Sequence, residues 1–208
     1  MQKKIFIVRH GETEYNKLKI VQGSGVDSSL NEMGKLQAKA LHNAYRDYGF
    51  DLVVTSALVR TKQTAKYFIE DDIPHLSDAD INEISWGIYE GKSSAEGMKE
   101  SYKNLISSWN REEYDARTEG GESAAEMAMR LNRFLDWVRA REEAKILVVM
   151  HGRSIRCLMC LVEGRPIKHM DDYHHHNTGI YEVVQNGNKM DIIQSNNIDH
   201  LADLITHE

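Results

Sequence analysis

Ile5-Phe6-Ile7-Val8-Arg9-His10-Gly11 and Ile146-Leu147-Val148-Val149-Met150-His151-Gly152 end alike. Each is a short, unbroken apolar run, as expected of a strand covered on both faces. Each stops at a histidine followed by glycine and then by a helix-forming stretch. In open α/β sheets, ligands bind beyond the carboxyl ends of the strands. Glycine lets the backbone approach a ligand closely, and a helix N-terminus offers free N–H groups to an anion. Two histidines in this setting are expected to converge on one point, with Arg9 beside them.

Working outward, Lys4–Val8, Leu52–Val54 and Ile146–Met150 read as buried strands. Asn31 is placed to cap a helix running to about Tyr48, with Leu36, Ala40, Leu41 and Ala44 on its apolar face. Ser56 is placed to cap a helix over Leu58–Ile69. Ser93–Glu96 and Ser123–Glu126 both fit the capping box, in which Ser and Glu side chains satisfy free backbone N–H groups. The second opens a long helix to about Arg141, with Met127, Leu131, Phe134, Leu135 and Val138 along one stripe. A further helix covers Ser154–Val162, and Gly179–Gln185 and Met190–Ser195 pair as a hairpin about Asn186-Gly187-Asn188. Alternation of strand and helix predicts an α/β three-layer sandwich, with a mostly parallel central sheet and helices on both faces. Residues 92 to about 120, polar and mixed in charge, read as a small helical cap inserted into a single domain spanning 1–208.

The chain has 208 residues, 41% hydrophobic and 28% charged, which excludes wholesale disorder. No apolar run approaches the ~20 residues of a membrane span or the length of a secretory signal, so a cytoplasmic protein is expected. The net charge of −6 provides no general field for nucleic acid, and an anionic small molecule would need a local cluster of cations. Cys157 and Cys160 lie in an apolar helical stretch and read as buried thiols rather than a redox pair. His174-His175-His176 is too contiguous to converge easily on one metal ion, and its place near the expected pocket leaves substrate contact open.

Several blocks now carry a resemblance. Arg9-His10-Gly11-Glu12-Thr13 with Asn16 resembles the signature of the histidine phosphatase superfamily, which includes the cofactor-dependent phosphoglycerate mutases. Ser56-x-Leu58-x-Arg60-Thr61-x-Gln63-Thr64-Ala65 resembles its second block, and Glu83 to Gly91 its third. Gly120-Gly121-Glu122-Ser123 resembles the turn of its phosphatase branch, and His151-Gly152-Arg153-Ser154-Ile155-Arg156 its last block. The blocks occur in order over about residues 5–185.

The resemblance implies that His10 attacks phosphorus and becomes a phosphohistidine, dividing one displacement into two. Arg9 and Arg60 would hold the phosphate oxygens with planar forks, and a protonated His151 would add stabilising charge. Asn16 would donate its amide to a phosphate oxygen, while Gln22, Gly23 and Gly152 would border the phosphate. Glu83 would act as acid and then base. No metal or other cofactor is implied. The expected activity is hydrolysis of a small phosphorylated metabolite, with mutase-type phosphoryl transfer as the alternative. Partners are then limited to the substrate, without nucleic acid or membrane. Ser29, Asn82 and Arg153 depart from the family pattern. Arg153 reads either as extra charge for a multiply charged substrate or as a solvent-facing side chain.

Overall fold

A computed structural model describes residues 2–93 and 98–205. Six strands form one sheet: β1 Gln2–Arg9, β2 Leu52–Thr55, β3 His75–Ser77, β4 Lys145–Met150, β5 Ile180–Asn186 and β6 Lys189–Asn197. Their order is β3-β2-β4-β1-β5-β6. The first four are mutually parallel, whereas the β5–β6 hairpin joins β1 antiparallel. In register, Val8 of β1 and Thr55 of β2 both pair with Val149 of β4, so three neighbouring carboxyl ends lie side by side.

Side-chain alternation sorts the apolar residues onto two faces. Ile5, Ile7, Val54, Ile146 and Val148 pack with the helices α5 (Ala124–Ala140) and α6 (Gly152–Glu163). Phe6, Val8, Val53, Leu147 and Val149 pack with α2 (Glu32–Tyr45) and α3 (Val59–Glu70). A runs-of-apolar strand therefore means two cores, one above and one below the sheet. The α5 stripe is fully used: Met127, Leu131, Phe134, Leu135 and Val138 are all buried. Each such side chain contributes about 1.5–3 kcal/mol through removal from water. Cys157 and Cys160 are wholly buried in α6, and burial pushes both thiols up to about 12.

Three differences from the sequence reading have physical causes. The helix after Asn31 turns a different face inward: Gly34, Ala38 and Leu41 are buried, while Leu36 is 50% exposed and Ala44 lies outside. Gly34 sets that face, because its α-carbon packs on the backbone of Glu12, where a Cβ would lie 2.1 Å from a carbonyl oxygen. The helix tightens into a 3₁₀ turn at Arg46–Tyr48 and stops at Gly49, whose φ is +77°. The hairpin turn is the two-residue Gly187-Asn188, and β6 runs to Asn197. The edge strand β3 was not expected, since its three residues lack apolar alternation.

A further helix lies between β3 and α5 in chain order. This helix, α4 (Met98–Asn110), is anchored through Leu105 and Trp109, with Trp109 Nε1 donating to Ala116 O at 3.0 Å and its ring 6.3 Å from Trp86. The capping box expected at Ser93–Glu96 involves residues outside those described. The one at Ser123–Glu126 forms as expected, with both reciprocal bonds. No helix among the described residues is long and apolar enough to cross a membrane.

Candidate active site

The carboxyl ends of β1, β4 and β2 present His10, His151 and Ser56 in adjacent positions. The strand register continues one residue further: His10 N donates to Met150 O at 3.0 Å, and Ser56 N to Val149 O at 3.2 Å. The rings of His10 and His151 approach to 5.2 Å between centroids, and both side chains are buried.

Hydrogen bonds assign the protons. His10 Nδ1 lies 2.7 Å from Gly11 O, which only accepts, so Nδ1 carries the hydrogen and Nε2 keeps a free lone pair. Burial, followed by the charges of Arg60 and Arg9, holds His10 well below the usual histidine range. The Gly11 N–H in turn donates to Thr64 Oγ1 at 2.9 Å, which fixes the turn after the ring.

His151 is held from both ring nitrogens. Arg60 Nε donates to its Nδ1 at 3.2 Å, so the remaining proton is on Nε2, which donates to Ser56 Oγ at 2.8 Å. Ser56 Oγ also receives the Leu58 N–H, so its own proton passes to Thr61 Oγ1, which donates to Leu58 O. Burial and the Arg60 charge lower His151 well below the usual range. The ring therefore favours its neutral form here, and through Nδ1 it accepts from Arg60. Ser56 consequently sits under His151 and is not the N-cap of α3. That position falls to Leu58, and Asp27 Oδ1 accepts the Val59 N–H at 2.7 Å.

Arg60 is 1% exposed, and its remaining forks reach Val26 O at 2.7 Å and Gly23 O at 3.2 Å. One guanidinium thus ties the loop over residues 23–26 to His151. Gly23 has no room for a side chain, since a Cβ would lie 2.0 Å from Glu90 Oε1. Arg9 remains a cation at neutral pH, although burial lowers it to about 10, and its buried Nε lacks a partner.

Glu83 is buried and closes the free end of α6. Its Oε2 accepts the Arg153 N–H at 3.0 Å, and its Oε1 accepts those of Ser154 and Ile84, each at 3.0 Å. Its charge acts on both Arg9 and Arg60, which places it beside the cationic cluster. Arg130 of α5 holds the segment that delivers it, donating to Asp80 O and Asn82 O at 2.7 and 2.8 Å while paired with Glu122.

Asn16 lies in α1 (Glu14–Lys17) and forms a reciprocal capping box with Thr13. Its Oδ1 accepts from Thr13 N and from Asn177 Nδ2, which leaves its own amide nitrogen as the donating end. Gln22 bridges Thr13 Oγ1 and Ser28 Oγ, so its amide braces the loop. Gly152 opens α6 and lies under the His175 ring, where a Cβ would meet Cε1 at 2.7 Å.

Asn177 was not singled out from sequence, whereas His175 belongs to the histidine run whose contact with substrate the sequence leaves open. Asn177 Nδ2 donates to His10 O at 2.9 Å and also reaches Asn16 Oδ1, joining the His10 backbone to Asn16. His175 alone of the three successive histidines reaches the centre. His176 Nδ1 pairs with Asn196, and the backbone of His174 accepts from Tyr181. Among the described residues no group of three or more His, Cys, Asp or Glu is placed to hold a metal ion. Arg153 is 8% exposed, which removes the solvent-facing alternative.

Known proteins resemble this chain in sequence and fold. Phosphoserine phosphatase 1 of Hydrogenobacter thermophilus is 33% identical over 163 residues, covering 77% of this chain and 76% of that protein. A 2,3-bisphosphoglycerate-dependent phosphoglycerate mutase of Methylobacterium radiotolerans is 32% identical over 173 residues, covering 79% and 81%. A crystal structure of phosphoserine phosphatase from Entamoeba histolytica with 3-phosphoglyceric acid superposes with a TM-score of 0.82 at 25% identity, covering 96% and 99%. The family pattern of the histidine phosphatase superfamily (branch 1) matches residues 5–198. With that pattern spanning both strand-end histidines and all of β6, the chain belongs to branch 1 of the histidine phosphatase superfamily.

Proposed function

We propose that this protein hydrolyses a small phosphate monoester through a phosphohistidine on His10. The observation that carries the reading is the free Nε2 lone pair of a buried, neutral His10 beside two guanidinium groups. A phosphate monoester is about dianionic near neutral pH, so a nucleophile can approach it only where fixed positive charge offsets that repulsion. Arg9 and Arg60 supply it, with the Asn16 amide as a further donor.

His10 Nε2 attacks phosphorus as the ester P–O bond breaks. Glu83, beside the cradle, passes a proton to the departing oxygen. Water then attacks the phosphohistidine while Glu83 takes a proton from it, the P–N bond breaks, and inorganic phosphate leaves with the enzyme restored. His151 holds Arg60 in line, and Gln22, Gly23 and Gly152 shape the phosphate's surroundings.

Members of the superfamily are phosphatases or mutases, and the relatives above carry both names. Hydrolysis is favoured by the α4 segment. A mutase must keep water from the intermediate while the product rebinds, which calls for a basic, closing cover. Here Arg111 is engaged by Glu113 and Arg117 by Glu126, so neither charge is directed at a ligand.

The test is rapid-quench labelling with a phosphorus-labelled substrate. An acid-labile adduct is expected on His10 and absent in His10→Ala, whose circular dichroism should match the parent. Excess chelator should leave the hydrolysis rate unchanged. An adduct that persisted in His10→Ala, or turnover without any adduct, would remove the proposal.

A further inference from the structure

Beyond the phosphate cradle lies a second cationic group that the proposed chemistry leaves unused. Arg153 and Arg156 are one turn apart on α6, and their Nη1 atoms share a single oxygen, Asp171 Oδ1. The other end of Arg153 meets Tyr102 Oη of α4, and its guanidinium lies 5.8 Å from that ring centre. Arg153 is 8% exposed, so its charge is buried within the fold rather than displayed on the surface.

Three nitrogens in this neighbourhood are buried without a partner: Arg9 Nε, Arg156 Nε and His175 Nδ1. A buried polar atom left unpaired is costly, so such atoms point to a missing group. Arg9 belongs to the phosphate cradle. Arg156 follows Arg153 by one turn of α6, and the chemistry proposed above gives it no role. His175 joins the two regions. Its ring covers Gly152, and its environment includes Arg9, Arg153 and Arg156 while it acts on His10. The same three guanidinium charges, after burial, push His175 down to about 2, so it is a neutral hydrogen-bonding group here. Locally two cations face one shared carboxylate, an excess of one positive charge. That excess matches a carboxylate better than a second phosphate.

We propose that Arg153, Arg156 and His175 form a subsite for a carboxylate carried by the substrate a few bonds from its phosphate ester, with Asp171 as the resident counter-ion that this carboxylate partly replaces. The inference rests on the phosphatase reading above. It assigns selection among phosphate esters to residues outside the phosphate cradle. Planar guanidinium forks suit a carboxylate bidentately, and charge-assisted bonds of this kind are the stronger ones.

The discriminating pair is O-phosphoserine and phosphoethanolamine, which differ only by the carboxylate. Wild-type protein should favour phosphoserine in kcat/KM by about tenfold or more, as expected for a bidentate charged contact. Arg153→Gln should lower the ratio of the two values by about tenfold. Asp171→Asn, a substitution at a part-exposed position that frees both arginines, should raise it. The second variant keeps the test decisive where the first folds poorly. Turnover of p-nitrophenyl phosphate without preference between the pair, or ratios unmoved by either variant, would overturn this inference alone. Preference for a sugar bisphosphate over its monophosphate, with none for phosphoserine, would overturn the carboxylate assignment. If none of these esters were hydrolysed, the phosphatase reading itself would fall, and this inference with it.

Discussion

Acidification should unfold this protein through its histidines before its carboxylates titrate. His10 and His151 are buried and held well below the ordinary histidine value of 6.5. In the unfolded chain both regain that value. Above it neither state binds the extra proton, and stability is unaffected. Below it the unfolded state gains protons that the folded state refuses, so stability falls as pH falls. Each ring contributes up to about 1.4 kcal/mol per pH unit, or about 4 kcal/mol for the two together between pH 7 and 5 if both stay neutral when folded. His175, lowered to about 2, and His200, lowered to about 4, add to the same slope. The loss is comparable to much of a domain's total stability. Urea titrations at pH 7, 6 and 5 measure it directly, and His10→Gln should remove about 2 kcal/mol of the pH 7-to-5 loss. A parent whose stability changed by less than about 1 kcal/mol over that range would refute the assignment of neutral, buried rings.

Other expectations are more local. Gly34→Ala should destabilise by about 2 kcal/mol or more, because its methyl would lie 2.1 Å from the Glu12 carbonyl, and the urea midpoint should drop accordingly. Ser123→Ala, at a wholly buried N-cap whose Oγ accepts the Glu126 N–H at 3.2 Å, should cost about 1 kcal/mol in the same assay. Arg60→Lys keeps the charge but loses the bonds to His151, Val26 and Gly23. Its kcat/KM on p-nitrophenyl phosphate should fall by about a hundredfold or more, with the circular dichroism unchanged.

The sheet and its helices were legible because apolar runs, capping boxes and turn glycines are local signals. The two strand-end histidines were legible for the same reason, and parallel neighbours then force them together. What escaped the sequence depends on contacts across long separations. The face of α2 was misread because Leu36 looks like core, while the true constraint, Gly34 against Glu12, is a steric fact between distant backbones. The neutral state of His151 could not be read from residue type, because it follows from burial and from an arginine 91 positions away that donates to it. Which of three adjacent histidines enters the site depends on the Asn196 and Tyr181 bonds that draw His176 and His174 elsewhere. Arg130 gave no signal either, since its role in presenting Glu83 exists only after α5 has docked.

The interior thiols have a practical consequence. Cys157 and Cys160, the chain's two cysteines, are sealed within α6 and resist ionisation until about pH 12. Thiolate is the species that reacts with alkylating and oxidising reagents, so the native fold should be nearly inert to maleimides at neutral pH. A cysteine introduced on the surface would then take up a dye or spin label selectively, without removal of the natural pair. Reactivity of the parent protein would in turn report opening of the helix that begins beneath His175.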